Sequence, residues 1–258
     1  MGLLDWLKQP EIKSIIDLDD PSATVLHREI LQKKTFLKKF YENVYGQFKN
    51  AVDQPEKKVL VEIGSGGGFI KDVMPNVITS EILNIPGVDK VFSATEMPFK
   101  DSSVDAFFML DVLHHINEPR QFFKEAIRCL KPCGRIVMVE PANTAWARFV
   151  YTNFHHETFD PKAGWGLEKT GPLTQSNGAM PWIIFRRDKK IFENEFPALK
   201  IIKIRNHTPF SYLMSGGFTL RQLAPGFFYP AVRGLEYLLS PANNLIGMFM
   251  TIILEKAK

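Results

Sequence analysis

Hydrophobic positions along the chain follow two different periods, and the change comes near residue 55. Between 22 and 50, Leu26, Ile30, Leu37, Tyr41, Val44 and Phe48 recur at helical spacing, with Lys33, Lys34, Lys38 and Lys39 on the opposite, wet side. Ser22, following Asp19-Asp20-Pro21, is the expected N-cap of this helix. A shorter helix is expected over 3–18. From residue 57 onward, short apolar and β-branched runs alternate with helical patterns. The runs are Val59–Ile63, Val77–Ser80, Val91–Ser93, Asp105–Leu110 and Ile136–Glu140. Such alternation predicts right-handed βαβ units and a mostly parallel sheet covered on both faces. Lys200–Arg205 and Met248–Glu255 read as two further strands, with a helical pair between them around 218–247.

This pattern divides the chain into an N-terminal helical segment (1–54), a ligand-binding α/β core (55–141), a cover (142–240) and a last strand completing the core (241–258). The irregular stretch 142–197, rich in aromatics and glycine, is too long for a plain connection and is the expected substrate cover. The apolar tail Leu235 to Leu254 is interrupted by Pro241 and Asn243-Asn244, too often to span a bilayer.

Composition narrows the class. With 45% apolar and 23% charged residues the chain has ample material for a packed core. Its two cysteines, Cys129 and Cys133, make no disulfide framework, and they lack partner ligands for a metal. The start Met1-Gly2-Leu3-Leu4-Asp5-Trp6 is neither a secretory signal nor a myristoylation pattern, so a cytoplasmic protein is expected. Charge is uneven. Residues 59–140 carry eight Lys/Arg against eleven Asp/Glu, a balance of −3, and residues 141–258 carry fourteen against eight, a balance of +6. The basic half suits an anionic substrate, or Arg186-Arg187-Asp188-Lys189-Lys190 is simply a solvated turn. No nucleic-acid partner is indicated by a charge this small.

The most informative segment is Val59-Leu60-Val61-Glu62-Ile63-Gly64-Ser65-Gly66-Gly67-Gly68-Phe69. A buried strand runs into a glycine turn, expected to open a helix whose free N–H groups face a ligand. The dinucleotide fingerprint G-x-G-x-x-G needs glycine at 69, where Phe69 stands. The acid-first pattern E-x-G-x-G-x-G fits Glu62, Gly64, Gly66 and Gly68. Glu81 ends the second strand, placed to accept both hydroxyls of a ribose, with Ile82 beside it. Then come Ser93-Ala94-Thr95-Glu96-Met97-Pro98-Phe99, Leu110-Asp111-Val112-Leu113-His114-His115-Ile116 and Leu130-Lys131-Pro132-Cys133-Gly134.

In this order over residues 55–140, these segments resemble the motifs of class I S-adenosylmethionine-dependent methyltransferases. The resemblance implies a Rossmann-like α/β fold with a seven-stranded, mostly parallel sheet and a final antiparallel strand. It implies S-adenosylmethionine as cofactor, held by Glu62, Gly64, Ser65, Gly66, Gly68, Glu81, Ile82, Ala94, Thr95, Glu96, Leu110, Asp111 and His115. Two positions depart from the family: Ser93 replaces the usual adenine-binding aspartate, and Cys133 replaces a glycine. The substrate is left open: a small or lipid-linked metabolite is expected, with an RNA or protein methyltransferase, or a non-catalytic cofactor-binding scaffold, as alternatives.

Catalytic groups are expected from the cover. Asn153-Phe154-His155-His156-Glu157-Thr158-Phe159-Asp160 gathers two imidazoles and two carboxylates, and His155, His156 and Glu157 are the candidates for proton removal. A polar loop without catalytic part is the competing reading. No metal is expected, since no matching ligand set is visible elsewhere in the sequence. His207 and Ser215-Gly216-Gly217 are candidates to line the same cavity, and Trp165, Trp182, Phe185 and Tyr212 are either core or substrate platform.

Overall fold

The computed structural model describes residues 8–9, 20–155, 157–167, 171 and 175–258. His156 and most of the helix expected over 3–18 lie outside them. The two described residues of that helix, Lys8 and Gln9, are extended instead: Lys8 bridges Leu220, and the Gln9 amide donates to Thr219 O at 2.8 Å.

The seven strands among the described residues form one sheet. They are β1 (Leu60–Ile63), β2 (Ile78–Glu81), β3 (Lys90–Val91), β4 (Val104–Leu110), β5 (Leu130–Pro141), β6 (Leu199–His207) and β7 (Phe249–Lys256). Their order is β3-β2-β1-β4-β5-β7-β6, parallel from β3 through β5, with β7 antiparallel to both its neighbours. The order reverses between β1 and β4, so the carboxyl ends of these strands open the crevice where ligands of such sheets bind. β5 begins earlier than its apolar run because Leu130 already pairs with Val104, after which the register shifts to Arg135 opposite Ala106. Cys133 lies in the intervening bulge at φ +62°, a backbone that glycine adopts at lower cost.

β4 shows why both faces must be covered. Phe107 and Met109 point into one apolar layer and Ala106 and Phe108 into the other, all with no exposure. The first layer is closed by α3 (Pro119–Cys129), whose Phe123 meets Phe122 on its own helix and Phe185, Phe192 and Phe196 beyond it. Residues 179–196, including α5 (Lys189–Glu195), therefore pack against this core face. Trp165 belongs there too: its indole N–H donates to Asp188 Oδ2 at 2.8 Å and the Arg120 guanidinium stacks 4.4 Å from its ring.

The second layer is closed by helices that precede the sheet. The single helix expected over 22–50 is two, α1 (Pro21–Lys33) and α2 (Thr35–Asn50), broken at Lys34. Lys34 is buried rather than on the wet side, and its ammonium donates to the carbonyls of Leu220, at 2.6 Å, and Gly217. The N-cap is Asp20, not Ser22: its carboxylate accepts the Ser22 amide at 2.7 Å, and Pro21 occupies the first helical position, where no N–H is needed. On α2, Phe48 stacks on Phe108 at 5.1 Å and 8°, beside buried Phe40, Val44 and Tyr45.

The expected alternation of strand and helix fails in one place. Among the described residues no α-helix lies between β1 and β4, and only a three-residue 3-10 turn, Ile70–Asp72, follows the glycine turn. The space such a helix would fill is taken by α1 and α2. A Cβ on Gly67 would come within 2.6 Å of Arg28 N on α1, and the Phe69 amide donates to the Tyr45 hydroxyl at 3.3 Å. No helix among the described residues is long and apolar enough to cross a membrane.

Candidate functional site

A cavity of about 850 Å³ lies at the carboxyl ends of β1, β2 and β4, within the usual size of a small-molecule site. The glycine turn makes its floor. Gly64 (φ +66°) and Gly66 (φ +50°) adopt left-handed backbone. A side chain on Gly64 would strike Val112 at 2.6 Å, whereas Gly66 faces open space. The turn therefore brings bare backbone to the cavity wall at Gly66. Ser65 is fixed beside it, its amide donating to Ser80 O at 2.8 Å. Gly68, expected at the ligand, is outside the lining, because its missing side chain makes room for the Tyr45 hydroxyl, 2.2 Å from a would-be Cβ.

Three carboxyl groups line this floor. Glu62 is 2% exposed, and burial, opposed by Ser65 and reinforced by the nearby Glu81, pushes its carboxyl up to about 8. Its Oε2 is buried with no hydrogen-bond partner among the described residues. Glu81 accepts the Gly66 amide at 3.0 Å through Oε2 and the Ile82 amide at 2.8 Å through Oε1. Burial still holds its carboxyl above the ordinary range, against those two bonds. Asp111 follows β4 at φ +62°, its Oδ1 also without a hydrogen-bond partner among the described residues, though 3.9 Å from His114 Nδ1. Enclosure pushes it up to about 7, although the side chain keeps 38% of its surface open. Ile82, Ala94, Thr95 and Leu110, expected at the ligand, also line the cavity on this side. Glu96 does not: it is exposed outside the lining, while the Ser93 hydroxyl turns to Thr95, 2.8 Å away.

Beyond β4 an ion-pair network joins three parts of the chain. Glu140, fully buried at the end of β5, accepts the Val112 and Leu113 amides at 2.9 and 2.7 Å, and pairs with His114 Nδ1 at 2.8 Å. On the other side, His114 Nε2 lies 3.3 Å from Glu157 Oε2, and His115 Nε2 lies 3.6 Å from Glu157 Oε1. Burial works against charge on His114, but the two glutamates outweigh it and raise its pKa well above the usual value. In return, and despite its own burial, Glu157 is held far below the carboxylate range by His114, His115 and His155. His114, His115 and Glu157 offer ligand atoms within 4.8 Å of one another, as do Asp111, His114 and Glu140. A cation there would first have to displace the proton that two glutamates hold on His114.

Of the expected catalytic residues, His155 and Glu157 line the cavity, following α4 (Ala145–Phe154). His156 lies outside the described residues. Tyr212, on α6 (Ser211–Ser215), and Phe218-Thr219-Leu220 reach the cavity from the later part of the chain. His207 does not: it is buried between Thr251 Oγ1 and Thr208 Oγ1, each at 2.8 Å, and burial together with Arg205, Arg233 and Lys203 pushes its pKa down to about 3. Ser215, Gly216 and Gly217 turn the chain outside the lining as well. Trp182 and Phe185 belong to the core layer. The sequence reading did not single out Tyr41, Tyr45 and His27 as cavity-lining residues. The tyrosines sit four apart in the apolar stripe of α2, and a hydroxyl in such a stripe is the signal that marks them.

Residues 69–138 match the family described as "Methyltransferase domain". The demethylmenaquinone methyltransferase of Renibacterium salmoninarum is 35% identical over 72 residues, covering 27% of this chain and 30% of that protein. That of Clavibacter sepedonicus is 47% identical over 47 residues, 18% of this chain and 19% of that protein. The chain thus spans less than a third of the length of the curated relatives it matches. Among solved structures, a SAM-dependent methyltransferase from Thermotoga maritima superposes with a TM-score of 0.50 at 14% identity, over 88% of this chain and 99% of that one. A chain of the Haloferax volcanii complex between the Trm112 methyltransferase activator and a methyltransferase gives 0.50 at 11% identity, over 95% and 99%. In its ordered motifs, its sheet order and a domain match over residues 69–138, the chain is similar to the class I, Rossmann-like S-adenosylmethionine-dependent methyltransferases.

Proposed function

We propose that the protein transfers the methyl group of S-adenosylmethionine to a small or lipid-linked metabolite in the cytoplasm. One observation carries this reading: a single cavity joins the open backbone of Gly66, the acids Glu62, Glu81 and Asp111, and the imidazoles of His115 and His155. The cofactor, when bound, supplies an electrophilic methyl group on a cationic sulfonium. Glu62 and Asp111 offer it buried oxygens that lack hydrogen-bond partners among the described residues, suited to an ammonium group. Each Glu81 oxygen has capacity beyond its one amide, which suits a ribose diol. Residues 142–240 act as the cover through Phe154 to Glu157, Tyr212 and Phe218 to Leu220, and the N-terminal helices close the opposite wall. The names of the matched relatives favour a lipid-linked quinone as the substrate type.

For proton removal the tautomers discriminate. The carbonyl of Gln175 lies 3.3 Å from His115 Nδ1 and accepts a hydrogen bond from its N–H, which leaves Nε2 as the basic nitrogen, with Glu157 placed to stabilise the imidazolium that forms. His155 Nδ1 accepts the Glu157 amide at 3.3 Å, so its neutral form carries the proton on Nε2. Glu157, whose carboxyl is so strongly acidic, is a weak base and acts as a positioning residue. His115 is therefore the base of this proposal. Calorimetry tests the cofactor first: S-adenosylmethionine and its demethylated product should bind and NAD should not. Gly66→Val, which fills the open side of the turn, should abolish binding while the protein still melts cooperatively. Binding of NAD, or undiminished affinity in that variant, overturns the reading.

A further inference from the structure

We propose that α7 (Tyr229–Leu238) and the turn before it dock this protein on a lipid bilayer bearing anionic headgroups. An ordinary surface helix turns its apolar stripe inward and its charges outward. Residues 227–238 do the reverse. Phe227, Phe228, Leu235, Tyr237 and Leu238 are between 48% and 79% exposed. Pro230, Ala231 and Gly234, spaced to share that side of the helix, are exposed as well, and none carries a charge. The inward side holds Arg233 and Glu236, and Glu236 is the one buried residue of the helix. Its carboxylate accepts the amides of Phe210 and Ser211 at 2.9 and 2.6 Å, the Ser211 hydroxyl at 2.6 Å and the Arg233 guanidinium at 2.5 Å. A polar anchor thus fixes the helix with a wholly apolar ridge facing out. Single exposed leucines are common on protein surfaces, but a continuous ridge marks an interaction surface.

Charge selects the occupant. From residue 196 to 254 the only acidic residue is Glu236, buried, against Lys200, Lys203, Arg205, Arg221 and Arg233. This stretch therefore exposes cations and hydrocarbon with no carboxylate among them. Phosphate headgroups above acyl chains present the complement of that surface, whereas a partner protein would ordinarily offer charges of both signs. Lysines on β6 also protect the edge of the sheet from pairing, but edge protection does not explain the aromatic ridge. Leu245, 65% exposed in the short helix Asn243–Ile246, adds a further apolar side chain to this part of the surface. The chain runs from the cavity-lining Phe218-Thr219-Leu220 directly into the turn before α7, which suits a substrate delivered from the bilayer.

Vesicle co-sedimentation of the full chain tests this without any methyl-transfer readout, so it stands or falls separately from the proposed reaction. Binding is expected to phosphatidylcholine vesicles containing phosphatidylglycerol, weaker without the anionic lipid and at high salt. The double variant Phe227→Glu/Leu238→Glu should lower binding by at least about tenfold, since each side chain would otherwise be withdrawn from water. Its melting temperature should not change, because both positions are exposed. If the double variant misfolds, Phe227→Ser/Phe228→Ser replaces it with the same expectation. Failure of the wild type to bind anionic vesicles, or binding that both variants leave intact, overturns the proposal. So does a dimer in solution that the variants dissociate while vesicles are ignored, which would assign the ridge to a second copy of this chain.

Discussion

Two regions of this molecule handle charge in opposite ways. The floor of the cavity, built from the ends of β1, β2 and β4, encloses Glu62, Glu81 and Asp111 and leaves two of their oxygens without hydrogen-bond partners among the described residues. Around α7 the one acid is enclosed too, but every contact it needs is supplied by the chain itself, and the apolar side chains face out. A buried carboxylate with four donors is a structural anchor, because removing it strands those donors. A buried carboxyl with an unmatched oxygen beside an open glycine turn is a receptor, because a ligand can supply what the fold withholds. The same residue type thus serves opposite ends, and the hydrogen-bond inventory tells them apart.

The contrast can be attacked by mutation. The largest effect is expected at the network bordering the cavity. Once a substrate is identified, His115→Ala should lower turnover by roughly 10²–10⁴-fold, the usual worth of a positioned base, with little change in cofactor affinity. Steady-state kinetics on His115→Ala and His155→Ala side by side decide which imidazole acts. Next is the anchor. Glu236→Ala should destabilise the protein by about 3–5 kcal/mol in urea unfolding, since it leaves the Arg233 charge and two amides unpaired, yet folded protein should bind cofactor normally. Equal losses of cofactor affinity and stability would erase the distinction between anchor and receptor.

Smaller effects sharpen it. Glu81→Ala should weaken cofactor binding by about 1.5–3 kcal/mol, the scale of hydrogen bonds to a charged group. An affinity kept within about twofold, roughly 0.4 kcal/mol, would make Glu81 only a brace of the glycine turn. The mildest signal is pH. Glu62 and Asp111 are pushed up to about 8 and about 7 from ordinary values of 4.5 and 3.8, so the folded protein holds protons that the unfolded chain has already released. Their contribution to stability is complete below pH 4, and it is lost as pH rises through 7 and 8. Affinity for a cationic ligand runs the other way, climbing several-fold between pH 6 and about 8.5 as the carboxylates ionise. Calorimetry across that range should show the rise, and Glu62→Gln should flatten its upper part.

Much of the fold is legible in the residues themselves. Seven apolar runs give seven strands, because short runs of apolar and β-branched residues are local properties. Glu62, Gly64 and Gly66 announce a ligand turn, because positive φ and bare backbone need glycine wherever the rest of the chain goes. Where local reasoning failed, a distant segment had intervened. The helix expected after Gly68 is absent because α1 and α2, earlier in the chain, occupy its place, and no period in residues 64–77 reports that.

The sequence by itself determined the strands, the order of the motifs and the resemblance to a methyltransferase domain, since each depends on residues a few positions apart. Only the tertiary structure decided what the histidines and acids do. His114 lies twenty-six positions from Glu140 and meets it at 2.8 Å, while Glu157 arrives from beyond α4 to join both imidazoles. The tertiary structure likewise turned α7 polar side inward, because Glu236 finds its donors at Phe210 and Ser211. A charged group in a sequence states a need for partners. Which partners answer, and whether one is left for a ligand, depends on long-range packing that no local pattern encodes.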